Sequence, residues 1–95
     1  MGKPSLYGDE RECWICHTPL NVEKHHIYQG SRRSISEREG CTVYLCHTHH
    51  QDQRFGVHYD ADLMRFFKRD CQRRWEEREG KGHDEFRAVF YESYL

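Results

Sequence analysis

The sequence predicts a small α+β fold: a β-hairpin followed by a short helix, a metal knuckle that clamps this unit, and a C-terminal helical extension. Three observations predict it. Seven of the eight histidines and four of the five cysteines fall between Cys13 and His58. Within that stretch lie two apolar, β-branched runs separated by turn and helix-cap signals. Beyond His58 the composition changes to Arg, Glu and large apolar residues at helical spacing. One domain is therefore expected over 1–95, with the metal knuckle and hairpin core in 11–58 and two packing helices in 60–95.

Taken in order, residues 1–10 read as a loose lead-in. Cys13-Trp14-Ile15-Cys16 forms a C-x-x-C knuckle. Val22 to Tyr28 is a strand that stops at the Gln29-Gly30 turn. Ser34-Ile35-Ser36-Glu37 has the Ser-x-x-Glu form of a helix N-terminus, closed by Gly40, so one helical turn is expected there. Thr42-Val43-Tyr44-Leu45 is the second strand. A short helix begins near His47 and fails before Gly56. Asp60 caps a longer helix running to about Glu79, whose stripe of Leu63, Phe66, Phe67, Cys71 and Trp75 has helical spacing. Gly80-Lys81-Gly82 ends it. Asp84 caps a last helix carrying Phe86, Val89, Phe90 and Tyr94 on one face. The aromatics of this second half are expected to be core.

Composition narrows the function. Only 36% of the 95 residues are hydrophobic and 33% are charged. A chain of this length buries about 65% of its unfolded surface, a thin margin that calls for a staple. No apolar run approaches the roughly 18 residues of a membrane span. The first residues hold no apolar signal-like run, so a cytoplasmic protein is expected, where clustered cysteines ligate metals rather than form bridges. Charge is balanced, 15 Lys+Arg against 16 Asp+Glu, so any contact with nucleic acid must be local. No long, low-charge apolar patch signals an obligate dimer, and a monomer or weak dimer is expected.

Thirty residues after Cys16 comes Cys46-His47-Thr48-His49, a C-x-x-H. With Cys13 and Cys16 it supplies the Cys₃His set of a tetrahedral structural zinc, because x-x spacing lets two side chains on one tight turn reach one ion. For the fourth ligand, His47 and His50 lie close to His49. Cys41 and Cys71 read as packing residues, and His17 and His83 have no assigned role. That leaves His25, His26, His50 and His58, which a structural zinc does not need. They suggest a second, open metal site with a base beside it. Neighbours on a strand point to opposite faces, so His25 and His26 can serve one site only if the strand twists or ends there.

The run Cys-x-x-Cys, His25-His26-Ile27 and Leu45-Cys46-x-x-His49-His50 resembles the HNH nucleases of the ββα-metal (His-Me finger) superfamily. It is most similar to small phage-type members with a Gly-Val-His step and a short helical tail. The resemblance covers Cys13 to His58, and more loosely the tail. It implies a DNA endonuclease that nicks with little sequence preference, of phage or prophage origin in a bacterial host and open to recruitment by a phage or host complex. It further implies that His26 is the general base and that His25, His50 and His58 ligate a catalytic divalent ion, Zn²⁺, Mn²⁺, Ni²⁺ or Mg²⁺. Two departures stand out. His50 and His58 are eight residues apart rather than four, and Cys41 or Thr42 stands where the family places its middle Asn. Neither offers an amide's paired donor and acceptor, which keeps open a non-catalytic, zinc-stabilised module that binds DNA or protein.

Lys24, Arg32, Arg33 and Arg38 lie in or beside the loop between the strands and are the expected phosphate contacts, which position a duplex without reading sequence. The face bearing Arg65, Lys68, Arg69, Arg73 and Arg74 is the alternative.

Overall fold

The computed structural model describes residues 2–95. Strand β1 (Val22–His26) is followed by a 3₁₀ turn and helix α1 (Arg33–Glu39), then by strand β2 (Thr42–Cys46) and helix α2 (His47–Gln51). A second 3₁₀ turn (Val57–Tyr59) leads into α3 (Ala61–Glu79) and α4 (His83–Phe90). The two strands pair antiparallel, with Val22 opposite Cys46 and His26 opposite Thr42. The architecture is α+β, a hairpin and helices, as its sequence pattern predicts.

Several boundaries differ from the sequence expectation, each for a local reason. β1 stops at His26 rather than Tyr28 because the Tyr28 backbone turns to α1. Its N–H donates to Ser36 Oγ at 3.1 Å, and Ser36 Oγ donates to the Tyr28 carbonyl at 2.7 Å. α1 is a seven-residue helix rather than a single turn, and it starts at Arg33 without a side-chain cap because the preceding 3₁₀ turn feeds directly into it. Gly40 ends it at φ 76°, where a Cβ would run into the Pro4 carbonyl. α3 is capped as expected, Asp60 Oδ1 accepting from Leu63 N at 3.0 Å. α4 begins one residue before Asp84, and Glu85 reaches back to the Gly82 N–H at 3.0 Å.

The lead-in is bonded rather than loose. Lys3 N donates to the Arg38 carbonyl, Leu6 N to that of Gly40, and Ser5 Oγ to that of Thr42. Leu6 and Tyr7 pack on the core. That core runs from Ile27, Tyr28, Val43 and Leu45 of the hairpin region to Phe67, Cys71 and Trp75 of α3 and Phe86 and Phe90 of α4. Phe66 departs from the expected stripe: it is 44% exposed, and its ring lies near Trp14 of the knuckle. Tyr94 lies beyond the end of α4, where it stacks on Tyr28 with ring centroids 5.2 Å apart. Cys41 and Cys71 are fully buried, as packing residues should be. Among the described residues, no helix is long and apolar enough to cross a membrane.

Candidate functional site

Two separate groups of side chains are placed to hold metal ions. Cys13, Cys16, Cys46 and His49 each offer one ligand atom, and these atoms lie within 4.8 Å of one another. Cys16 Sγ is 3.8 Å from Cys46 Sγ. His49 Nδ1 is 3.6 Å from Cys13 Sγ and 3.2 Å from Cys46 Sγ. The knuckle turn is tight because His17 N donates to the Cys13 carbonyl at 2.8 Å, with His17 itself at φ 65°. Trp14 N then donates to the Tyr44 carbonyl, docking the knuckle on β2. Burial pushes the Cys13 thiol up, yet backbone N–H groups of the two turns and His49 outweigh it and bring it down to about 6, toward the thiolate a metal requires. His49, rather than His47 or His50, completes this group.

His25, His50 and His58 form the second group, again with ligand atoms within 4.8 Å of one another. His25 comes from β1, His50 from α2 and His58 from the second 3₁₀ turn. The chain between α2 and that turn bends tightly enough to bring His58 back: Gly56 N donates to the Asp52 carbonyl at 2.7 Å, and a Cβ on Gly56 would overlap Asp52 backbone. His50 and His58 therefore meet despite their eight-residue separation, Nε2 to Nε2 at 2.9 Å. Burial, followed by the charges of His50 and His58, lowers His25 to about 3, and burial lowers His58 as well. Both favour the neutral imidazole that ligates metals.

Strand period explains how the neighbours His25 and His26 are used. Glu23 and His25 share the β1 face toward α2, while Lys24 and His26 share the face toward α1. Glu23 accepts from His50 Nδ1 at 2.7 Å, Gln51 Nε2 at 3.0 Å and His47 Nδ1 at 3.1 Å. These contacts, His50 foremost, hold its carboxyl down at about 2. On the other face, Glu37 of α1 takes His26 Nε2 at 2.7 Å and Lys24 Nζ at 3.1 Å, and both lower its pKa. His26 is the last residue of the strand. There the two faces converge, and both histidines line a single cavity of about 280 Å³ with Lys24, Gln29, Gly30, Arg33, His50 and His58.

The four loop cations divide. Lys24 and Arg33 border the histidine cavity and also the adjoining groove over Ser31, Ser34 and Glu37. Arg32 turns away: its Nε donates to the Phe90 carbonyl at 2.7 Å and so ties the 3₁₀ turn before α1 to the end of α4. Arg38 pairs with Glu39 at 3.2 Å and lines neither cavity. His17 and His83 make surface pairs with Glu12 and Glu76. Glu23 and Glu37 belong to the site but were not predicted from sequence. The one signal for them is the i, i+2 relation of Glu23 to His25 on a strand.

Comparison with protein-family models, with curated proteins and with solved structures finds no match for this chain.

Proposed function

We propose that this chain is a metal-dependent endonuclease of the HNH type, built on a ββα-metal finger, that hydrolyses DNA phosphodiester bonds and nicks with low sequence specificity. The observation that carries this reading is the convergence of a three-histidine group, a fourth histidine and two cations, Lys24 and Arg33, on one open cavity.

The Cys₃His group suits a structural Zn²⁺. Two thiolates at 2.3 Å from a tetrahedral ion stand about 3.8 Å apart, and a thiolate and an imidazole about 3.6 Å. Cys16–Cys46 at 3.8 Å and Cys13–His49 at 3.6 Å fit these separations, and Cys46–His49 at 3.2 Å is shorter by about 0.4 Å. The all-imidazole set of His25, His50 and His58 suits a borderline ion, Zn²⁺ or Ni²⁺, better than the harder Mn²⁺ and Mg²⁺. When bound, a divalent ion there supplies Lewis-acid stabilisation of the phosphate and of the leaving oxygen.

The chain's own groups supply the rest. Glu37 accepts a hydrogen bond from His26 Nε2–H, which leaves Nδ1 as the nitrogen that takes a proton from the attacking water. Arg33, exposed and without an ion-pair partner among the described residues, and Lys24 hold backbone phosphates at the mouth.

The second reading, a binding module that keeps the fold without the activity, draws on Cys41 and Thr42. Both are buried, and neither side chain supplies the amide that the resemblance places at this step of the sequence.

Supercoiled plasmid, incubated with zinc-loaded protein and added Mn²⁺, Ni²⁺ or Mg²⁺, tests both readings. Nicking that a chelator abolishes and that His26→Ala lowers by about 10²–10⁴-fold, the usual contribution of a general base, is the expected result. DNA retained but uncut with every ion would sink the nuclease reading in favour of the module.

A further inference from the structure

We propose that Glu23 is a positioning residue for the three-histidine site, fixing His50 with Nδ1 protonated and Nε2 presented to the cavity. The proposal rests on the reading of His25, His50 and His58 as metal ligands.

His50 sits on α2, which has only five residues. Helices that short are not stable by themselves, because few backbone bonds offset the cost of nucleation. The direction of the His50 ring is therefore set by what holds α2 from outside. The Cys46/His49 pair anchors one side of the helix, and His47 N donates to the Asn21 carbonyl at 2.9 Å. Glu23 supplies a further anchor, taking donors from three of the five α2 side chains: His47, His50 and Gln51. Its contact with His50 Nδ1, at 2.7 Å, is the shortest of the three.

That contact also decides the tautomer. A carboxylate can only accept, so Nδ1 carries the hydrogen, and the neutral ring must present its lone pair on Nε2. Nε2 is the atom that faces His58 at 2.9 Å. Of the three rings, His50 is the one whose second nitrogen meets a carboxylate among the described residues; His25 Nδ1 meets only the Gln29 amide, at 3.5 Å. A carboxylate behind a ligating imidazole locks its orientation and raises its basicity. Glu23 reaches this position because it lies two residues before His25 on the same strand face.

The test is calorimetric titration of Co²⁺ into zinc-loaded protein, with the visible Co²⁺ absorption recorded alongside. Wild type should take up a second ion. Glu23→Ala should bind it about 10- to 100-fold more weakly, with an altered Co²⁺ spectrum and an unchanged zinc content. Glu23→Gln should fall between the two, since the amide oxygen still accepts from Nδ1–H but carries no charge. His47→Ala and Gln51→Ala remove the other two contacts of Glu23 and should stay near wild type. If they weaken the ion as much as Glu23→Ala does, Glu23 merely clamps the helix and the proposal falls. Equal affinity in wild type, Glu23→Gln and Glu23→Ala overturns the proposal while leaving the three-histidine site intact. A wild-type chain that binds no second ion overturns the site and the proposal together. Should Glu23→Ala fail to fold, Glu23→Gln decides: a several-fold loss supports the role, and wild-type affinity removes it.

Discussion

Glu37 holds His26 Nε2 with one carboxylate oxygen and Lys24 Nζ with the other. On the proposed nuclease reading it gives the base a fixed tautomer and keeps a cation beside the phosphate to be cut. The carboxylate is half exposed, so water can take its place when it is removed. Glu37→Ala should consequently lower plasmid nicking by about tenfold, the equivalent of one hydrogen bond to a charged group, far less than the loss on His26→Ala. Its melting temperature should match wild type; a loss of nicking that tracks a loss of folding would mean that Glu37 is structural. In the sequence Glu37 and Glu23 are two of sixteen acidic residues. Their partners lie across tertiary contacts, so nothing beyond the alternation of Glu23 with His25 on one strand separates them from solvated charges. The cysteine and histidine pairs are legible for the opposite reason: two ligands on one turn have a fixed sequence separation whatever the rest of the chain does.

At the scale of elements, the last residue of α1 joins it to two segments distant in sequence. Glu39 accepts from Lys3 Nζ at 2.9 Å and from Trp75 Nε1 at 3.0 Å, linking the N-terminal segment, α1 and α3. Burial by itself would raise its pKa, but the bonds from Lys3, Trp75 and Arg38 outweigh it and bring the carboxyl down to about 2. The folded pKa is thus below the unfolded value near 4.3. Between the two the unfolded chain binds the extra proton, so the stabilisation is complete above about pH 5 and fades as pH falls toward 2. Glu39→Gln should cost about 1–3 kcal/mol at pH 7, and the gap in melting temperature from wild type should close progressively below about pH 4.5. A gap independent of pH would show that the lost interaction is packing rather than charge. This link also explains why the N-terminal segment is bonded rather than loose. Lys3, Ser5 and Leu6 look like any polar terminus in sequence, and only the fold brings them to α1 and β2. The α3 stripe was legible because helical periodicity is a local property, while the fate of Phe66 depended on where the knuckle ring of Trp14 would lie.

Across the whole molecule, the two candidate metal sites are coupled by covalent adjacency. His49 belongs to the Cys₃His group and His50 to the three-histidine group, and both sit on the five-residue α2. β2 leads into that helix at Cys46, itself a ligand of the first group. An ion held by the first group would therefore anchor the helix that carries the second site, and its loss would take that anchor away. The energetics point the same way. Structural zinc contributes about 10–16 kcal/mol in small zinc-finger peptides at neutral pH, as much as the entire 5–15 kcal/mol stability of a typical domain. A chain of 95 residues with 36% hydrophobic content has little core to spare against that loss. Cys16 is exposed and contributes nothing to the apolar core, so Cys16→Ser isolates the ligand role from packing. The substitution should abolish stoichiometric zinc, collapse the cooperative melt and, through α2, eliminate uptake of the second ion. Zinc content by elemental analysis, circular dichroism melting and Co²⁺ titration on one sample check all three. Should the variant keep its zinc and its melting temperature, the four-ligand assignment is wrong. If it loses zinc but still melts cooperatively and binds the second ion with wild-type affinity, the assignment stands and the coupling through α2 fails.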